Sequence, residues 1–151
     1  MAKSVTTWVL VADGARAKAF VNTGPGDGLA ATPDLDLTGS RAQVQDMVSD
    51  RGGRQTNVPG GAAHHGLSPR IDPRQTVEKE FMRTVADALA AAAARGAYDR
   101  LVVCAAPHAL GDLRALMPDA VRTRVIAEVD RDYVHLAPHA LVEHLKDVVA
   151  L

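Results

Sequence analysis

The stretch SDRGGRQTN, residues 49 to 57, gathers Arg51, Gly52, Gly53, Arg54 and Gln55 into one short run. Guanidinium forks grip phosphate oxygens through paired N–H donors, and glycine lets a backbone approach a ribose-phosphate chain closely. From Arg51 to Arg70 there are three arginines, the pair His64 and His65, and no carboxylate, on a chain whose net charge is −1. The run is therefore a local cationic patch, and contact with RNA is its chemical expectation. Arg51, Gly52, Gly53, Arg54, Gln55 and Arg70 are the candidate contacts. Aromatic side chains on which bases stack are missing from it. A solvated loop on a protein whose function lies elsewhere is the competing reading.

The remaining reactive side chains point away from catalysis. His64 and His65 are adjacent in a loop, and His139 and His144 are five apart on a helix, so their rings face different ways. With no paired His or carboxylate motif beside them, no metal site is expected. TGPGDG, residues 23 to 28, has glycines in the style of a dinucleotide loop, but LAATPDLDL follows where such a loop must open a helix. It is expected to be a hairpin turn, and no cofactor is expected. Cys104 lies in an apolar run, where a thiol serves as a small hydrophobe. Asp13 is placed to hydrogen-bond its own turn, and its position near a strand end leaves a cleft-facing role open.

The elements that must position these residues are legible in the apolar pattern. Val5 to Ala12 is dense and β-branched, Asp13-Gly14 is a turn, and RAKAFVN alternates. PDLDLTG, residues 33 to 39, has leucines at alternate positions and predicts a third antiparallel strand. Residues 40 to 72 lose periodicity apart from a short helix around 42 to 48, which predicts a long loop, its Gly/Arg-rich part at about 49 to 71. Asp72 as N-cap, Pro73, Gln75 in a capping box and Gly96 as stop define a helix whose stripe is Val77, Phe81, Val85, Leu89 and Ala92. Lys79, Arg83 and Asp87 fall towards its other face, and the alanine-rich run ALAAAAARG, 88 to 96, suits close packing, against its own sheet or across a dimer.

YDRLVVCAAP predicts a central strand covered on both faces, a short helix with Leu110, Leu113 and Leu116 ends near Pro118, and RVIAEVD is a further strand. A helix over 138 to 151 faces Leu141, Leu145 and Val148 inward. The order β-β-β-α-β-α-β-α predicts an α/β fold: a mixed sheet with an antiparallel three-strand meander and then βαβα crossovers, an arrangement shared with ribonuclease-H-like and release-factor-like domains.

At 151 residues the chain suits a single domain, 1–151, and 47% apolar content lets it fold. Only 3% of it is aromatic, so Trp8 is expected to be the largest buried side chain. One cysteine excludes an internal disulfide and suits a reducing compartment. The apolar stretch before Asp13 is short for a membrane span and lacks a signal peptide's layout, so no membrane insertion and a cytoplasmic location are expected. Oligomeric state is not written in the sequence.

Several segments together resemble the bacterial host attachment protein family, proteins required for attachment to host cells. They are WVLVADGARAKAF at 8 to 20, DMVSDRGGR at 46 to 54, DPRQTVEKEF at 72 to 81, YDRLVVCAAPHALGDLRALM at 98 to 117 and HLAPHALVEHL at 135 to 145. Ala137 stands where the family tends to offer a serine cap, and Val134 follows Asp-Tyr where Asp-Leu is more usual. That family is similar in architecture to the middle domain of archaeal and eukaryotic class 1 translation release factors and their bacterial relatives, in which a Gly-Gly-Gln loop reaches the peptidyl-tRNA ester. Gly52, Gly53 and Gln55 occupy the corresponding place, with Arg54 interrupting the tripeptide and moving the glutamine by about 3 Å of chain. The resemblance implies a ribosome-associated or RNA-binding module without enzymatic activity. The family description implies, as an alternative, an adhesion-related factor with a protein or surface partner, and the release-factor likeness a peptidyl-tRNA ester hydrolase.

Overall fold

Six consecutive buried residues, Thr7–Ala12, form β1, and their alternation feeds two cores at once. Trp8, Leu10 and Ala12 point to one side of the sheet, Val9 and Val11 to the other. β4, Arg100–Ala105, does the same, with Leu101 and Val103 on the first side and Val102 and Cys104 on the second. Strands apolar on both faces must be central. They pair in parallel in the middle of a five-stranded sheet of order β3-β2-β1-β4-β5. The computed structural model describes residues 4–39 and 73–151; the expected helix around 42 to 48, the long loop and the Asp72 cap lie outside them.

β2, Arg16–Asn22, returns antiparallel to β1, and β3, Ala30–Thr38, is antiparallel to β2. β5, Val125–Val129, is parallel to β4. The meander and crossovers expected from the pattern are thus present in a mixed α/β sheet, in an order compatible with the ribonuclease-H-like arrangement. Both edge strands pair irregularly, β3 beside Lys18 and Ala19 and β5 beside Leu101 and Val102. β3 also carries Pro33, which has no N–H to donate and so fits an edge.

The first core lies under α1, Pro73–Ala94, with α2, Pro107–Leu116, and α3, Asp119–Arg122, beside it. Full burial of Leu10, Leu89, Leu101 and Leu113 at about 1.5–3 kcal/mol each makes this the heavier layer. Trp8 is the largest buried side chain, its ring 4.9 Å from that of Tyr98. Gly96 ends α1 with φ +73°, its N–H bonding Ala93 O and that of Ala97 bonding Ala92 O, the Schellman pattern. Ala92 and Ala93 are buried in the protein's own core.

Several details correct the reading of the sequence. β1 begins at Thr7, and Val5 is exposed. β3 starts three residues earlier than the alternating leucines indicate, because the irregularity at Lys18 lets Thr32 to Ala30 pair beyond Pro33. Val77 is only half-buried; the stripe of α1 begins at Phe81 and is widened by Met82, Ala86 and Ala93. Leu116 is half-buried and Met117 takes the inner place. α3 was not expected: the Pro118 carbonyl accepts the N–H groups of Val121 and Arg122, so the proline that stops α2 starts another turn. The last helix, α4, Pro138–Leu145, is shorter than 138 to 151. The amides of Val148 and Val149 both bond the Leu145 carbonyl and turn the chain, leaving Val148 44% exposed and bringing Leu151 into the second core.

Candidate functional site

β1 and β4 lie side by side and parallel, and at their carboxyl ends the chain departs in opposite directions. β1 turns through Asp13 and Gly14 into β2, while β4 runs into α2 and on to β5. Such a divergence opens a crevice at the strand ends, where open α/β sheets hold their ligands. A cleft of about 310 Å³ is found there, lined by Asp13 after β1, Glu78 of α1, His108 and Asp112 of α2, and Asp132 after β5. Met82 and Ala109, both buried, line it as well. A neighbouring hollow of about 670 Å³ shares Glu78, His108 and Asp112 and adds Arg74, Gln75 and Lys79.

Local chain chemistry sets each wall. Asp13 Oδ1 accepts the N–H groups of Ala15 and Arg16, both at 2.8 Å, so the carboxylate builds the β1–β2 turn and lines the cleft as well. Gly14 lets the Glu78 side chain lie close: a Cβ there would stand 2.5 Å from its carboxyl group, which would have to swing aside. Asp132 Oδ1 accepts the Val134 N–H at 3.1 Å. α2 opens with Pro107 after Ala106, with no side-chain cap and no acid in its first turn. Its amide end therefore leaves a positive pole beside the carboxylates. Arg74 and Glu78 are both already engaged. The arrangement offers acceptors inside and cationic donors at the α1 rim, which suits holding a polar ligand by charge and hydrogen bonds.

The candidate contacts Arg51, Gly52, Gly53, Arg54, Gln55 and Arg70, together with His64 and His65, lie outside the described residues. Their attachment points do not. Thr38 pairs with Arg16, Gly39 N–H donates to Ala15 O at 2.6 Å, and a Cβ on Gly39 would meet the Phe81 ring at 2.8 Å. The chain re-enters at Pro73, next to Arg74 and Gln75 of the larger hollow. Segment 40 to 72 thus leaves and returns at the sheet edge that carries the cleft. Sequence reasoning missed Glu78, His108, Asp112 and Asp132; His108 and Asp112 are four apart on one face of α2, and the other two come from separate segments with no common motif. The available signal was His108 directly after an apolar run ending in proline, the place where a strand-end crevice opens.

Other motifs of the sequence fall within the described residues. The turn at 23 to 28 is a hairpin turn, with Gly26 and Gly28 at φ +86° and +73°. Cys104 is fully buried, and burial pushes its thiol up to about 12. His135, His139 and His144 are exposed, the last with Nδ1 2.8 Å from the Ala140 carbonyl oxygen. Among the described residues no group of three or more His, Cys, Asp or Glu side chains is arranged to hold a metal ion, and no helix is long and apolar enough to cross a membrane.

A mixed five-stranded sheet with helices on both faces makes this an α/β protein, with a polar cleft where its two central parallel strands diverge. Residues 8–145 match the family model described as protein required for attachment to host cells, and the chain belongs to that family. No curated protein matches it.

Proposed function

We propose that this host attachment family protein is a non-enzymatic binding module that contacts RNA, free or within the ribosome, through the segment from Arg51 to Arg70. The observation that carries this reading is the run of three arginines and two histidines without a carboxylate on a chain of net charge −1. Its attachment at Gly39 and Pro73 supports it, since the chain leaves and re-enters beside the polar hollow to which Lys79 adds a cation. Phosphate contacts release counterions, so binding must weaken with salt, by a slope of about −0.7 per phosphate contact for a single strand. Filter binding of the full chain to single-stranded RNA at rising salt should give such a slope, reduced by about 2 when Arg51, Arg54 and Arg70 are changed to Ala. A flat salt response, or unchanged affinity in that triple variant, removes the proposal.

The family description favours a second reading, an adhesion-related factor that binds a protein or surface partner. Co-sedimentation separates the two: association with ribosomes supports the RNA reading, and association with envelope alone supports this one. Release of peptide from charged tRNA by the unaltered protein, lost in Gln55→Ala, would replace both with a hydrolase of release-factor type.

A further inference from the structure

The second face of the sheet is covered by much less protein than the first. α4 has eight residues, fewer than the ~12 an isolated helix needs, and of these only Leu141 and Leu145 are fully buried. α1 sends seven residues into the opposite core. What completes the thin layer is the chain beyond α4. After the turn at Leu145 to Val149, Leu151 joins the cluster that holds Val9, Phe20 and Cys104. Its main-chain oxygen then accepts the N–H groups of Gly26 and Gly28, at 2.9 and 3.0 Å.

The 23 to 28 turn is shaped for this grip. Gly26 and Gly28 both hold positive φ, which aims their N–H groups as few other residues allow. Beneath them lies Asn22, 1% exposed. Its Nδ2 donates to the carbonyls of Gly24 at 3.0 Å and Gly28 at 2.8 Å, and its Oδ1 accepts the Gly24 N–H at 3.1 Å. A buried amide with all these partners holds one loop conformation.

We infer that residues 146–151 are a strap across the second face, clasped by the 23 to 28 turn, and that strap and α4 open together as one unit while the α1 face stays folded. Proteins open first where buried apolar contact is least. Here two hydrogen bonds and the Leu151 side chain join the ends of that layer to a turn far away in sequence. Opening strap and α4 together takes Leu141, Leu145 and Leu151 away from the cluster of Val9, Phe20 and Cys104 without disturbing Trp8 or Leu89, which lie across the sheet.

The chain carries a reporter on each face: Cys104, its single cysteine, in the cluster that α4 and Leu151 share, and Trp8, its single tryptophan, in the core under α1. Thiol labelling of the full chain at rising urea, with Trp8 fluorescence followed in parallel, reads the two separately. At low urea Cys104 should react through an opening that depends weakly on urea, at least about tenfold faster than Trp8-reported unfolding permits, because a sub-global opening exposes little surface. Asn22→Ala should speed that labelling about tenfold further, the equivalent of 1.4 kcal/mol, and Leu151→Ala should act in the same direction. Labelling of the unaltered protein with the same urea dependence as the Trp8 signal overturns the inference, and this result needs no variant to fold. Unchanged low-urea labelling in Asn22→Ala overturns it too.

Discussion

Cys104 and Tyr98 are weak acids buried on opposite faces of one sheet, and together they set an alkaline limit to the fold. Burial pushes the Cys104 thiol from 9.0 up to about 12. Burial also lifts the Tyr98 phenol from 10.0 to about 12, against the opposing charge of Arg124. Both are neutral when protonated, and both ionise more readily in the unfolded chain. Above pH 9 the unfolded state therefore binds fewer protons than the folded one, and stability falls as pH rises. The contribution is complete below the unfolded values and lost progressively up to about 12. At 1.36 kcal/mol per pH unit, going from pH 8.5 to 11 should cost about 3 kcal/mol through Cys104 and about 1 kcal/mol through Tyr98. Denaturant unfolding at the two pH values measures the sum. Cys104→Ala leaves a small cavity worth about 1 kcal/mol at neutral pH, but it should remove the larger share of the alkaline loss. Tyr98→Phe deprives the Leu89 carbonyl of the phenol donor, 2.9 Å away, and should remove the smaller share. If Cys104→Ala loses as much stability as the parent between pH 8.5 and 11, the burial argument is wrong.

Three further outcomes follow from single contacts. Asp13→Ala deprives the Ala15 and Arg16 amides of their acceptor and should cost about 1–2 kcal/mol in denaturant unfolding. Gly96→Ala forces a side chain into φ +73° at the end of α1 and should cost about 1 kcal/mol, read as a lowered Tm. At the end of the chain, Leu145→Ala should destabilise by about 2–5 kcal/mol, whereas Val148→Ala should stay within about 0.5 kcal/mol, because Leu145 is fully buried and Val148 is 44% exposed.

Where a residue's environment is set by its near neighbours in the chain, the sequence reading and the structure agree. The alternation from Trp8 to Ala12, the turn at Asp13, the positive-φ stop at Gly96 and the burial of Cys104 within an apolar run are all local statements. A continuous apolar strand has to be central because neither of its faces tolerates water. The path of residues 146 to 151 was not readable: Val148 has the spacing of an inward residue, but the turn at Leu145 is favoured by a clasp that waits at Gly26 and Gly28. The cleft was hidden for the same reason. Apart from His108 and Asp112, one turn apart on α2, the lining residues Asp13, Glu78 and Asp132 come from separate segments, and the divergence of two parallel strands brings them together. Sequence by itself determined the order of the strands and of the three longer helices, both apolar faces and the acid-free arginine segment, since periodicity, turn chemistry and charge are properties of adjacent residues. Tertiary structure alone decided which carboxylates share a cleft and which end of the chain closes the second core, because those depend on pairings between segments that no local pattern encodes.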